Sequence, residues 1–203
     1  CALGADFNTL QKDWSSPVYI AAKRGHADAI RTLCALGADI STPNSREVTP
    51  MFIASQLGHV DAIHALSTLG ADVNTPQKNG ATPMYIASQN GHVDAIKALS
   101  TLGADANTPQ KNGATPVFIA AQQGCVGAIK ALAALGADVN SLKKDGISPV
   151  YIAARRGHTD VIKVLSTLGA DVHTPNSHGV SPELIAAQRG HVDAMSTLWG
   201  MKR

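Results

Sequence analysis

Apolar and polar positions recur along this chain every 33 residues. Within one period, Tyr85 and Ile86 belong to a first short apolar stripe, and Val93, Ile96 and Leu99 belong to a second one. Apolar residues three or four positions apart lie on one face of a helix. Each period therefore predicts two short helices joined by a turn and followed by a polar loop.

Short motifs with the same spacing mark the ends of these predicted helices. Ser/Thr-Pro begins each first helix, because the hydroxyl caps the helix and proline is tolerated at its first position. Gly-His separates the two helices, and Leu-Gly-Ala-Asp follows the second helix, where glycine adopts the left-handed conformation that ends it. Ser/Thr-Pro occurs at 16–17, 49–50, 82–83, 115–116, 148–149 and 181–182, and Leu-Gly-Ala-Asp at 3–6, 36–39, 69–72, 102–105, 135–138 and 168–171.

The pattern Thr-Pro-x-x-x-Ala-x-x-x-Gly-His, followed by Leu-Gly-Ala-Asp-Val-Asn, resembles the ankyrin repeat family, and it covers essentially the whole chain. The resemblance implies an all-α solenoid of stacked helix-turn-helix units with hairpin-like tips. We predict a single array over residues 1–203, which we expect to continue upstream of Cys1 and to be capped at its C-terminal end. Its units are the end of a truncated repeat (1–10), five repeats (11–43, 44–76, 77–109, 110–142 and 143–175) and a capping repeat (176–203).

One departure from the family pattern is systematic. The position that usually holds the histidine of Thr-Pro-Leu-His here holds Tyr19, Phe52, Tyr85, Phe118, Tyr151 and Leu184. Aromatic rings in adjacent repeats can pack as a buried ladder, each contact contributing about 0.5–1.5 kcal/mol beyond its area. The alternative is a partly exposed aromatic stripe along a binding groove.

Composition excludes several classes of protein. With 44% hydrophobic and 16% charged residues, the chain has enough apolar material for a core, which excludes a disordered segment. Its formal net charge of +2 is too small to indicate nucleic-acid binding. Since no apolar run reaches the roughly 18 residues of a membrane span, we predict no membrane insertion. We expect a cytoplasmic location, with an organellar one left open.

The histidines and cysteines do not indicate a reactive centre. Most histidines lie in the Gly-His position, one per repeat, which is too far apart to share a zinc ion, so we expect structural roles. His173 and His178 share one tip without a third ligand nearby. Cys125 takes the histidine position at a helix N-terminus, which predicts a lowered thiol pKa and mild reactivity; the alternative is a small residue without special chemistry. No catalytic motif is present, and we predict no enzyme activity, no cofactor and no metal.

Charge is distributed unevenly over the predicted fold. Asp28, Asp94 and Asp160 each precede a basic residue by three positions, which predicts weak exposed ion pairs with Arg31, Lys97 and Lys163. On the face formed by tips and first helices, basic residues outnumber Asp13, Glu47, Asp145 and Glu183. The basic residues on that face are Lys12, Lys23, Arg24, Arg46, Lys78, Lys111, Lys143, Lys144, Arg155, Arg156 and Arg189. This face is either a solvated surface or a groove for an acidic partner segment.

These features predict a non-catalytic protein–protein interaction module that binds its partner through the concave face and the loop tips. The alternative is a structural or linker subunit of a larger assembly, including an organellar or membrane-associated one. Trp14 lies where four later repeats have a tip glycine, and it either anchors a partner or packs against the preceding repeat. The partner-binding hypothesis comprises Trp14, Lys23, Arg24, Arg46, Lys78, Lys111, Lys144, Arg155, Arg156 and Arg189.

Overall fold

The computed structural model describes residues 15–201, which form twelve helices and no strand. The helices follow one another in pairs, and about half of the described residues are helical, well above the roughly one-third typical of globular domains. This confirms the predicted all-α solenoid of helix-turn-helix units. The helices are α1 (Pro17–Arg24), α2 (Ala27–Ala35), α3 (Pro50–Leu57), α4 (Val60–Thr68), α5 (Pro83–Gln89), α6 (Val93–Thr101), α7 (Pro116–Gln123), α8 (Val126–Ala134), α9 (Pro149–Arg156), α10 (Thr159–Thr167), α11 (Pro182–Gln188) and α12 (Val192–Gly200).

We number the helix pairs repeats 1 to 6, and we call the tight loop before each first helix a tip. Tips 2 to 6 are residues 44–48, 77–81, 110–114, 143–147 and 176–180, each closed by backbone hydrogen bonds within the loop. The truncated repeat predicted at 1–10, together with Lys12 and Trp14, lies outside the described residues.

Every first helix begins as its motif predicts. Proline is the first helical residue, and the preceding Ser or Thr hydroxyl accepts a hydrogen bond from the backbone N–H three residues later. Thr82 accepts from the Tyr85 N–H at 3.2 Å in this way. Such a cap stabilises a helix by about 0.5–2 kcal/mol.

The core lies between successive helix pairs. Each first helix packs on the next first helix, and each second helix packs on the next second helix. Ile63, Leu66, Ile96 and Leu99 of the second helices have no exposed surface. Burial of a side chain of this size contributes about 1.5–3 kcal/mol, so the contacts between repeats hold the array together.

The aromatic residues in the family's histidine position belong to this core. Tyr19 is 6% exposed, and Phe52, Tyr85, Phe118 and Tyr151 are each 4% exposed. Burial raises the pKa of Tyr85 to about 12. The core position of these aromatic residues is confirmed, and the exposed aromatic stripe is wrong; packing of adjacent rings as a ladder stays a prediction. Leu184, in the last repeat, is 48% exposed.

The three predicted exposed ion pairs are also confirmed. Their N–O distances are 2.6 Å for Arg31–Asp28, 4.0 Å for Lys97–Asp94 and 3.9 Å for Lys163–Asp160. All six side chains are more than half exposed, so each pair contributes only tenths of a kcal/mol.

Candidate partner-binding groove

A groove of about 290 Å³ runs between tips 4 and 5 and the first helices α5, α7 and α9. Its apolar floor includes Tyr85, Phe118, Ile119 and Ile152, which are almost fully buried. Its polar wall includes Gln110, Asn112, Gln122, Lys143, Arg155 and Arg156. The accessible lining of the groove is therefore mainly polar.

The groove continues into a second cavity of about 320 Å³ at the C-terminal ends of α9 and α11. We call it the arginine cavity, because Arg155, Arg156, Arg189 and His191 line it. Arg155 and Arg156 line both spaces. Four of the basic residues that the sequence predicts on this face therefore lie along one continuous surface. They are Lys143, Arg155, Arg156 and Arg189.

The histidines of the Gly-His motif hold the groove-lining turns in place. The Nε2–H of His158 donates to the Gln122 carbonyl at 3.1 Å, and that of His191 donates to the Arg155 carbonyl at 3.2 Å. His59 and His92 make the same bond to Lys23 and Gln56. The acceptor always belongs to the preceding repeat, a partner that reasoning within one repeat missed.

In repeats 1, 2 and 5 the glycine before the histidine is required by the next repeat as well as by its own helix end. Gly157 has φ +76°, and a Cβ added there would lie 2.7 Å from Nδ1 of His191. The sequence signal of this contact is the fixed spacing of 33 residues between Gly-His pairs, because that spacing places the histidine ring of one repeat over the glycine of the preceding repeat.

Cys125 corrects the sequence interpretation. Its Sγ lies 3.8 Å from the Gln89 carbonyl, in place of the histidine bond. Burial raises the pKa of the Cys125 thiol rather than lowering it. The side chain lies against the preceding repeat, and this desolvation outweighs the helix N-terminus, so mild reactivity is not supported. Cys34 is likewise a free thiol, with its pKa raised by burial and by the nearby Asp39 carboxylate.

The tips hold one another through backbone hydrogen bonds. Lys111 N–H donates to the Asn79 carbonyl at 3.1 Å, Lys144 to Asn112 at 3.4 Å, and Ser177 to Asp145 at 3.2 Å. Lys111 and Lys144 therefore have fixed backbones, while both residues are exposed at the edge of the face. Lys143 bonds Asp145 at 2.9 Å, and this contact lowers the pKa of the Asp145 carboxyl.

The remaining predicted residues lie away from the groove. Arg46 and Lys78 line a gap of about 390 Å³ between tips 2 and 3, where Lys78 Nζ lies 3.8 Å from a Glu47 oxygen. Lys23 is exposed at the end of α1, and Arg24 lines an apolar cavity of about 380 Å³ with Ile20 and Leu33. The structure thus brings together the C-terminal arginines and not the whole predicted set.

Glu183 is a second correction. It is 8% exposed, in a position where the other repeats have Val or Met, so it does not lie on the groove face. Its Oε1 lies 2.5 Å from Nδ1 of His173. His173 takes the place of Asn107 and Asn140, which bridge to the next repeat through Gly136 and Gly169. Glu183 is buried and His173 is 37% exposed, and sequence reasoning missed this polar contact in the last described repeat.

Within residues 15–201, no group of three or more His, Cys, Asp or Glu side chains is arranged to hold a metal ion. None of the helices described there combines the length and apolar character that crossing a membrane requires.

Comparison with known proteins agrees with the repeat geometry. The family model described as "Ankyrin repeats (3 copies)" matches residues 1–77, 67–143 and 132–202. No curated protein sequence matches the chain. The three matched segments overlap and together span residues 1–202. The chain therefore belongs to the ankyrin repeat family.

Proposed function

We propose that this chain is a non-catalytic module that binds an extended, acidic segment of a partner protein in its groove. Ankyrin repeats are generally protein–protein interaction modules, and their fold is typically a non-catalytic scaffold. The observation that carries the proposal is the continuous basic surface where the groove meets the arginine cavity. There Arg155 and Arg156 form no ion pair with any residue between 15 and 201.

The division of polar groups favours a peptide over a phosphate backbone. The floor of the groove is apolar, and its middle carries the uncharged amides Gln110, Asn112 and Gln122. Side-chain amides offer both donors and acceptors to an extended peptide backbone. Positive charge is concentrated at the C-terminal end, where it steers an acidic segment into one orientation.

The test uses peptides selected from a random display library panned against the intact chain. We expect enrichment of acidic sequences and an association rate that falls as NaCl is raised. Reversal of both groove arginines (R155E with R156E) should slow association and remove most of the salt dependence.

The matched control reverses two lysines on second helices, Lys97→Glu with Lys163→Glu. It changes net charge by the same amount, but on residues that do not line the groove. Equal effects of the two double variants, or selected peptides without acidic residues, would contradict the groove as the binding site.

A second candidate is a structural subunit held through the exposed apolar residues of repeat 6. Val192 is 64% exposed and Trp199 66% exposed on α12, and Leu184 adds to the same terminal repeat. This supports contact with another subunit there. If Val192→Glu breaks a native complex that the R155E/R156E variant still forms, the terminal face and not the groove mediates assembly.

A further inference from the structure

The arginine cavity contains an unusual concentration of positive charge. Its described lining is three arginines and one histidine, with no carboxylate. None of the three guanidinium groups forms an ion pair within residues 15–201. All three arginines are exposed, so solvent screens their mutual repulsion, but no carboxylate lining the cavity neutralises them.

Repeats 2 to 4 show that these helix ends fold without arginine, whereas repeat 1 has Lys23-Arg24 in the same positions. The positions of Arg155 and Arg156 hold Gln56-Leu57, Gln89-Asn90 and Gln122-Gln123 in repeats 2 to 4. Helices α3, α5 and α7 have no basic residue in the last turn, yet they have nearly the same length. Favourable interaction with the helix dipole contributes only about 0.3–1 kcal/mol at exposed sites. It also does not explain why Arg156 and Arg189 recur in adjacent repeats around one cavity.

Guanidinium groups bind oxyanions through paired N–H donors in a rigid plane. A carboxylate offers two oxygens and one negative charge, which satisfies one such plane. A phosphomonoester offers three terminal oxygens and a charge of about −1.5 to −2 at pH 7. Three guanidinium groups that form no ion pair within residues 15–201 therefore match a phosphomonoester more closely than a carboxylate.

The backbone around the cavity is fixed before any ligand binds. His191 donates its Nε2–H to the Arg155 carbonyl at 3.2 Å, and its ring lies over Gly157. This links the last turn of α9 to the start of α12 across the repeat boundary. The side chain of His191 thus forms a wall of the cavity and sets the distance between the Arg155 and Arg189 turns.

We propose that the arginine cavity binds the phosphate of a phosphorylated Ser, Thr or Tyr in the partner segment. The inference rests on the proposed function, because Arg155 and Arg156 line the groove as well, so a peptide in the groove reaches the cavity directly. Phosphorylation of the partner then switches binding from weak to strong.

The test compares three fluorescein-labelled peptide pools, degenerate around a fixed central phosphothreonine, threonine or glutamate, by fluorescence anisotropy with the intact chain. The variant is Arg189→Gln, which leaves every groove-lining residue in place. Gln123 occupies the equivalent position in repeat 4, so the substitution introduces a residue that this fold already accepts. Lys97→Gln, on a second helix, is the matched control for loss of one charge.

We expect the phosphothreonine pool to bind at least about tenfold more tightly than the threonine pool, because charged hydrogen bonds to Arg are strong. Arg189→Gln should reduce this ratio towards one, because it should weaken binding of the phosphothreonine pool much more than binding of the glutamate pool, whereas Lys97→Gln should keep the ratio. A ratio near one in the parent chain, or an unchanged ratio in Arg189→Gln, overturns the inference.

Two further outcomes separate this inference from the proposed function. If the glutamate pool binds and depends on Arg155 while the phosphothreonine ratio is one, the groove proposal stands and the phosphate site is wrong. If vesicles that contain phosphoinositides bind with the same dependence on Arg189, and the phosphothreonine pool shows no preference, the cavity recognises a membrane surface and the phosphopeptide proposal is wrong.

Discussion

The boundary between repeats 2 and 3 and the boundary between repeats 3 and 4 are built from similar sequences, but each lacks a hydrogen bond that the other has. Between repeats 2 and 3, His92 bonds the Gln56 carbonyl at 3.0 Å, but no backbone bond joins the described residues of tips 2 and 3. Between repeats 3 and 4, Lys111 bonds Asn79 at the tips, but Cys125 replaces the histidine and its sulfur lies 3.8 Å from the Gln89 carbonyl.

The missing tip bond has a local steric cause. Glu47 occupies the position of Gly80, Gly113, Gly146 and Gly179, with φ +59°. A Cβ added to Gly80 would lie 2.8 Å from the Lys111 nitrogen, and one added to Gly146 would lie 2.9 Å from the Ser177 nitrogen. Since Glu47 has a Cβ, tip 3 cannot approach tip 2 in the same way. The Gln77 side chain reaches the Arg46 carbonyl instead, at 3.5 Å.

The comparison shows that a repeat boundary tolerates the loss of either bond when the apolar core between the helices is kept. Met51, Met84 and Val117 are each at most 1% exposed, so burial is complete on both boundaries. The stability of such an array is approximately a sum of repeat terms and nearest-neighbour terms. Each of these hydrogen bonds then contributes to the interaction free energy of one pair of adjacent repeats, and its loss changes that contribution alone.

The largest expected effect comes from Gly80→Ala, which would leave the boundary between repeats 3 and 4 without either bond. Gly80 has φ +86°, where a Cβ is strained, and the new methyl would meet backbone and not a flexible side chain. We expect a loss of about 2–4 kcal/mol in the free energy of unfolding, measured by urea denaturation followed by circular dichroism.

Gly103→Ala is the control for the backbone strain alone. Gly103 has φ +91° and no atom within 4 Å of an added Cβ, so its substitution should cost only the left-handed strain of about 1–2 kcal/mol. If the two variants lose the same stability, the approach of the tips contributes nothing and the steric explanation is wrong.

The sequence predicted the fold almost completely, because each helix end is marked by residues whose preferences are local. Ser/Thr-Pro and Leu-Gly-Ala-Asp act within one turn of the chain, so they can be interpreted without a neighbour. The effect of Glu47 on the contact between tips 2 and 3 could not be predicted in this way, because the consequence of its Cβ depends on the adjacent tip. The same limit applies to His158, whose acceptor lies 36 residues earlier in the chain.

The candidate site was predicted only in part for the same reason. Adjacent residues such as Arg155-Arg156 indicated a basic turn, and Arg189 joins them because it is one period later. The sequence predicts Glu183 on the groove face because Glu183 belongs to a first helix. Its position within α11 faces the core, and its partner His173 belongs to a different segment. Membership of a first helix therefore predicted exposure, whereas the position within the helix determined burial.

A smaller and opposite effect is expected from Glu47→Gly, which would make tip 2 like the later tips. It removes the strain of a left-handed glutamate and lets Lys78 N–H bond the Arg46 carbonyl. The lost Lys78–Glu47 pair has an N–O distance of 3.8 Å between exposed side chains and contributes little. We expect a gain of about 1 kcal/mol, measured as a higher urea midpoint.

Glu47→Ala separates geometry from charge. It removes the carboxylate but keeps the Cβ, so the tips should stay apart and no gain should appear. Equal stabilisation by Ala and Gly would show that the charge of Glu47, and not its Cβ, keeps the tips separate.

The smallest effect is expected at the other boundary, from Cys125→His. Four other histidines occupy this position in the described repeats after the first, and each donates to a carbonyl of the preceding repeat at 3.0–3.2 Å. Replacement of the long thiol contact by an N–H···O bond should therefore raise stability by about 0.5–1 kcal/mol. Cys125→Ala removes the thiol without adding a donor, so it should give no gain.

Hydrogen exchange should locate the change in Cys125→His, with slower exchange of the α5 and α8 amides than in the parent chain and little change in α1 and α12. Uniform slowing along the array, or equal melting midpoints of the His and Ala variants, would show that this bond does not couple repeats 3 and 4.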